Sequence, residues 1–132
     1  MTDPEQVTKL AAAFAAEKKA IDMVAMDLRG VSGYTDFFLI CQGNTERQAK
    51  AIHDGVHLGM KKAGGLLPRR VEGVSEARWI LMDYLDVVVH VFTPETREFY
   101  RLDQLWGEVP KLALDEDELT ALAAQVPEAA SA

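Results

Sequence analysis

Apolar positions along this chain follow two different spacings. Val7, Leu10, Ala11 and Phe14 recur every three or four residues, as one stripe of a helix does. Asp3-Pro4 with Gln6 just before them reads as a cap, a first-turn proline and a carboxamide able to reach back to the cap. Lys18 and Lys19 then complement the C-terminal end of that helix's dipole. Ile21 to Leu28 is short, rich in Met, Val and Ile, and ends at Arg29-Gly30-Val31-Ser32-Gly33, which predicts a first strand and a turn. Phe37 to Cys41 is apolar without alternation, and such a strand is usually covered on both faces. Thr45 and Gln48 form a capping pair that opens a second helix. Ala49, Ile52, Val56, Met60 and Ala63 line its buried side, and Gly64-Gly65 stops it.

The second half is strand-rich. Arg69 to Gly73 reads as a short strand or extended arm. Trp79-Ile80-Leu81-Met82 and Val87 to Phe92 flank Asp83-Tyr84-Leu85-Asp86, a spacing that favours an antiparallel hairpin. Thr93-Pro94-Glu95 repeats the cap, proline and acidic first turn of a helix, here running to about Tyr100. Leu102, Leu105 and Trp106 supply a further turn or helix. From Glu108 the composition changes: the acidic run Asp115-Glu116-Asp117-Glu118 precedes Leu119, Leu122 and Val126 at helical spacing, and the last residues, 127–132, should fray. The order of elements predicts an α/β fold. The pattern is that of a single domain with a mainly five-stranded sheet flanked by helices, divided into residues 1–107 and a partly helical, acidic C-terminal extension, 108–132.

A length of 132 residues suits one domain with a core that needs no staples. Hydrophobic residues at 48% and charged ones at 27% exclude collagen-like and wholly disordered classes. The net charge of −7 opposes attraction to phosphate backbones or anionic lipid and favours a basic partner. Lys61, Lys62, Arg69 and Arg70 could form a small patch of opposite sign, but short basic clusters are mostly solvated surface. Cys41 is the only cysteine, which excludes an intrachain disulfide and suits a reducing compartment. There is no secretory signal and no apolar run near the roughly 18 residues needed to span a membrane, so cytoplasm is the expected address.

Catalytic patterns are weak. His53-Asp54-Gly55-Val56-His57 loosely resembles H-E-x-x-H, but Asp54 is shorter than the usual glutamate and His90 lies far off in a strand; two surface histidines account for it better. Asp22, Asp27, Asp36, Asp83 and Asp86 stand near strand ends, where carboxylates can hold magnesium. No phosphate-binding glycine motif accompanies them, and turn acids that satisfy backbone donors are the simpler reading. Cys41 sits in an apolar run with no base nearby in sequence and reads as a core residue. Trp79, Tyr84, Arg97, Tyr100 and Trp106 are of the residue types enriched at protein interfaces, and the aromatics among them serve equally as core.

Several segments in order then resemble the ribosomal silencing factor (RsfS, Iojap-like) family. They are Tyr34-Thr35-Asp36-Phe37-Phe38-Leu39-Ile40-Cys41 with Gly43-Asn44, Glu72-Gly73, Ala77-Arg78-Trp79-Ile80-Leu81-Met82-Asp83-Tyr84, Asp86 to Phe92, and Arg97-Glu98-Phe99-Tyr100-Arg101-Leu102 through Leu105-Trp106-Gly107. The resemblance covers roughly residues 5 to 107. It implies a nucleotidyltransferase-like α/β fold with a mixed sheet, without enzymatic activity or cofactor. It also implies binding to large-subunit ribosomal protein fourteen, steric blocking of small-subunit joining, and repression of translation when nutrients are short. No membrane and no direct sequence-specific nucleic-acid contact are implied, and the resemblance allows a homodimer. Carried onto matching positions, the partner-binding residues are Trp79 and Tyr100 as aromatic anchors, Asp83, Tyr84 and Asp86 as hairpin-end contacts to basic groups, and Arg97 as a contact or an internal brace. His90, Leu105 and Trp106 fit the pattern as core or docking residues. Leu85 stands where the family commonly has glycine, which bears on the turn beside Tyr84. Two rival readings are a nucleotide-dependent transferase of the same fold, from the strand-end acids, and a dimeric adaptor without a ribosomal link.

Overall fold

In the computed structural model the described residues are 3–31, 33, 35–105 and 108–125. The chain begins with α1 (Pro4–Glu17), β1 (Ile21–Asp27), β2 (Phe37–Gln42) and α2 (Glu46–Gly64). There follow β3 (Arg70–Glu72), β4 (Trp79–Asp83), β5 (Val87–Phe92), α3 (Pro94–Tyr100), α4 (Leu102–Leu105), β6 (Lys111–Leu112) and α5 (Glu116–Ala124). The strands form one sheet in the order β3-β4-β5-β2-β1-β6. β2 and β5 run parallel at its centre, and every other neighbouring pair is antiparallel.

The helix boundaries have local causes. Asp3 accepts a hydrogen bond from the Glu5 amide, and Thr45 accepts one from Gln48 at 3.0 Å. Gln48 accepts in turn from the Asn44 amide at 2.9 Å and donates to the Lys19 carbonyl at 3.0 Å, which ties the start of α2 to the link between α1 and β1. Gly65 ends α2 in the left-handed region at φ 66°, with its amide on the Lys61 carbonyl and the Leu66 amide on that of Met60. Lys18 and Lys19 follow directly on the last turn of α1, with Lys18 as its C-terminal cap.

Alternation along the strands divides the core in two. Phe37, Leu39 and Cys41 with Val87, Val89 and Val91 face α1 and α2. The helices meet where the Phe14 ring lies against Gly59, so closely that a Cβ there would collide with the ring. On the opposite face Met26, Leu28, Phe38, Ile40, Val88 and Phe92 form a second cluster, joined by half-buried Val24, Trp79, Leu81, Leu102 and Val109.

The sheet has six strands, where the sequence predicts mainly five. The sixth, β6, pairs with β1 through Ala25–Leu112 and Met26–Lys111. The Pro110 carbonyl also accepts from the Asp27 amide at 2.8 Å. α5 then lies on α1, with Leu119 buried in the helix-side core and Glu118 3.1 Å from Lys9. Residues 111–124 are thus built into the same sheet and helical layer as the rest. Trp106, Val126 and the expected fray of 127–132 lie outside the described residues.

Candidate functional site

Antiparallel pairing sets Trp79 opposite Phe92, Leu81 opposite His90 and Asp83 opposite Val88. Directly paired residues share a face, so Trp79, Leu81 and Asp83 point away from α1 and α2. The Trp79 ring then meets three aromatic neighbours: Tyr100 at 4.7 Å, Phe92 at 5.1 Å and His90 at 6.0 Å between centroids. Tyr100, on the last turn of α3, is 52% exposed, and adjoining Phe99 is 79% exposed. Their rings meet edge to face at 4.9 Å. α3 buries none of its side chains, so its aromatics are displayed rather than packed away. Thr96, Phe99 and Tyr100 of α3 also line a shallow depression with Glu46, Arg78 and Glu95, in which Arg78 is paired with Glu46 at 3.3 Å.

His90 underlies this patch. Its ring is 3% exposed within a strand whose six residues are all buried. Nδ1 accepts a hydrogen bond from Trp79 Nε1–H at 3.0 Å. Phe38 packs edge-on at 4.6 Å. Burial disfavours the charged imidazolium and pushes the group down to about 3, so the ring is neutral at physiological pH.

The six residues carried over from the family pattern do not form one cluster. Trp79 and Tyr100 are in contact, as two anchors of one surface need to be. Arg97, also on α3, has Nη1 3.5 Å from Gln42 Oε1 on β2, the position of an internal brace. Asp83, Tyr84 and Asp86 stand at the far end of the hairpin, and the first two turn inward rather than forming exposed contacts. The Asp83 carboxylate is buried, accepting from the Leu85 amide at 2.9 Å and from Arg69 Nε at 3.1 Å. The Tyr84 ring packs into the helix-side core, where burial raises its phenol well above the ordinary tyrosine range. Asp86 is half-buried, and its carbonyl accepts from the amides of Asp36 and Phe37. Leu85 takes φ 76°, the conformation that glycine would adopt there without strain.

Two features of the surface escaped the sequence reading. Phe99 was legible only as an apolar residue of a short helix, and what marks it is that the helix has no buried side to put it on. The Trp79–His90 bond could have been found by fixing the hairpin register, since a turn closed between Tyr84 and Val87 places the two on diagonal positions of adjacent strands.

The other chemical candidates are not assembled. Among the described residues no three His, Cys, Asp or Glu side chains gather as a metal set. His53 pairs with Asp54 at 2.9 Å, while Asp27 binds Arg29 and Asp83 binds Arg69. Cys41 is buried in the core, which pushes its thiol up to about 12. Arg69 and Arg70 of the basic cluster are engaged by Asp83 and Glu72. No helix among the described residues is long and apolar enough to cross a membrane.

The fold and this surface define an α/β domain that displays a small aromatic patch at the edge of its second core, a form suited to recognising another macromolecule. The family model described as "Ribosomal silencing factor during starvation" matches residues 1–132. The ribosomal silencing factor RsfS of Bacillus subtilis is 41% identical over 111 residues, 84% of this chain and 93% of that protein. The chloroplastic protein Iojap of Zea mays is 32% identical over 104 residues, 78% of this chain and 44% of that one. Among solved structures, a Bacillus halodurans protein superposes with a TM-score of 0.72 at 40% identity, covering 83% of this chain and 98% of its own. A Chromobacterium violaceum protein superposes with a TM-score of 0.77 at 30% identity, covering 86% and 95%. The chain belongs to the ribosomal silencing factor (RsfS) family.

Proposed function

We propose that this protein docks through the Trp79–Tyr100 patch on ribosomal protein fourteen of the large ribosomal subunit and thereby keeps the small subunit from joining, repressing translation. The observation that carries the docking surface is the exposed Tyr100 ring laid on half-buried Trp79, in a chain of the silencing-factor family. A relative from Mus musculus, 31% identical over 83% of this chain and 47% of its own, is named for mitochondrial assembly of the ribosomal large subunit, which supports a large-subunit partner. The net charge of −7 suits steering towards a basic ribosomal protein, and complementary charge mainly raises association rate and specificity.

The action is occupancy in the cytoplasm, without turnover or cofactor: when two partners exclude each other, inhibition grows with factor concentration over its Kd. Trp79 and Tyr100 are the anchors, Arg97 braces the helix that carries Tyr100, and Asp86 offers a carboxylate at the hairpin's end. Asp83 and Tyr84 act from within by holding the hairpin. Residues 1–107 carry the docking surface, and within the extension 108–132 the segment 111–124 completes the sheet and the helical layer. A homodimer fits this reading only in an arrangement that leaves the patch open.

Titrating isolated ribosomal protein fourteen with Trp79→Ala and Tyr100→Ala tests the assignment. Each should lose about 2 kcal/mol or more of binding, roughly thirtyfold in Kd. Normal affinity in both folded variants would contradict the patch.

A further inference from the structure

His90 is a polar interruption in a strand that otherwise reads Val-Val-Val-Val-Phe and is buried throughout. An indole N–H can only donate, so Nδ1, which receives it from Trp79, must be unprotonated. The proton of the neutral ring therefore sits on Nε2. That atom is buried and has no hydrogen-bond partner among the described residues. A buried donor without a partner is destabilising, and a phenylalanine would fill the same space among Phe38, Phe92 and Trp79 without it. Local rules broken in this way occur where a side chain serves something other than stability.

From this geometry we propose that His90 is the positioning residue of the docking surface. Its Nδ1 fixes the rotation of the Trp79 ring, and so the edge and face that Trp79 offers beside Tyr100. The indole is only half-buried and touches Tyr100, Phe92 and His90; the rings alone allow it to tilt, whereas a directional hydrogen bond at 3.0 Å selects one orientation. Affinity at an aromatic anchor depends on such preorganisation, because a ring that must be ordered on binding loses part of its contact energy. The inference rests on the docking reading above and adds a residue that touches no partner.

The test uses the full chain, whose two indole N–H resonances are told apart by the loss of one in Trp79→Phe. His90→Phe and His90→Gln are compared, the second retaining a side-chain acceptor. In the free protein, the Trp79 indole N–H proton resonance should move upfield and exchange faster in His90→Phe, with partial return in His90→Gln. Thermal unfolding of His90→Phe should occur at the parent temperature or above it. Its affinity for the large subunit should fall roughly five- to tenfold, the effect of one hydrogen bond. In a Trp79→Phe background the same substitution should change affinity less than twofold.

An unaltered indole resonance in His90→Phe would overturn the proposal, as would parent affinity, or an affinity loss of equal size with and without Trp79. If the parent protein itself fails to bind the large subunit, the docking reading falls, while the resonance still decides whether His90 orients Trp79.

Discussion

Leu85 occupies a backbone conformation that is unfavourable for any side chain with a Cβ. Its φ of 76° and the bond from the Asp86 amide to the Tyr84 carbonyl make a γ-turn at the hairpin tip, a strained form. Asp83 accepts from the Leu85 amide, and Thr35 donates to the Leu85 carbonyl at 2.9 Å, so the strained residue is gripped at both ends. The side chain itself is 53% exposed and contributes little packing. Leu85→Gly should therefore raise unfolding stability by about 1 kcal/mol, the left-handed penalty less the greater chain entropy of glycine, as read by chemical denaturation. Asp83→Ala should lower it by about 2–3 kcal/mol, because it removes a buried charged acceptor from two donors. His90 acts on stability through pH. Its folded-state value of about 3 lies below the ordinary 6.5, so the unfolded chain binds the proton first as pH falls. The associated stability is complete above pH 6.5 and declines towards pH 3. Between pH 6.5 and 5 the parent should lose about 2 kcal/mol relative to His90→Phe, measured as unfolding free energy in parallel titrations. Parallel curves would show that the histidine is not held neutral. None of these three roles could be read from composition: Leu85 was marked only by the family resemblance, while those of Asp83 and His90 depend on partners that the fold brings to them.

The larger elements follow the sequence closely because their signals are long or redundant. α2 combines a cap, a five-position buried stripe and a left-handed glycine stop, and it runs from Glu46 to Gly64 between them. The hairpin was legible from two apolar runs around a four-residue turn. What escaped was short or conditional. β6 has two residues, too few for any period, and exists because the chain after Pro110 returns along the free edge of β1. The acidic helix was legible as amphipathic, but its docking against α1 depends on a groove built by other elements. Two substitutions test the helical layer. Gly59→Ala should destabilise by about 1–3 kcal/mol, since the new methyl meets the Phe14 ring at the crossing of α1 and α2. Leu119→Ala should cost about 2–4 kcal/mol through the cavity left between α5 and α1, measured by calorimetry or denaturant melts. A value near zero for Leu119 would mean that α5 is not docked in solution.

At the scale of the whole molecule, the sheet separates two jobs. The face under α1 and α2 supplies an uninterrupted apolar core, and the opposite face carries a smaller core from which Trp79 and the α3 aromatics emerge. The sequence identified Trp79 and Tyr100 individually, but residues twenty-one positions apart become one surface only once β4, β5 and α3 are in register. Charge belongs to the same scale, for an acidic body approaching a basic partner should associate more slowly as salt screens it. The central claim is that occupancy of the large subunit through this patch excludes the small one. The most direct test is sucrose-gradient sedimentation of purified subunits at associating magnesium with increasing protein, in parental and Trp79→Ala forms. The parent should travel with the large subunit while the joined-particle peak shrinks, and the variant should do neither at the same concentration. Parental protein that stays at the top of the gradient while the subunits join normally would contradict it.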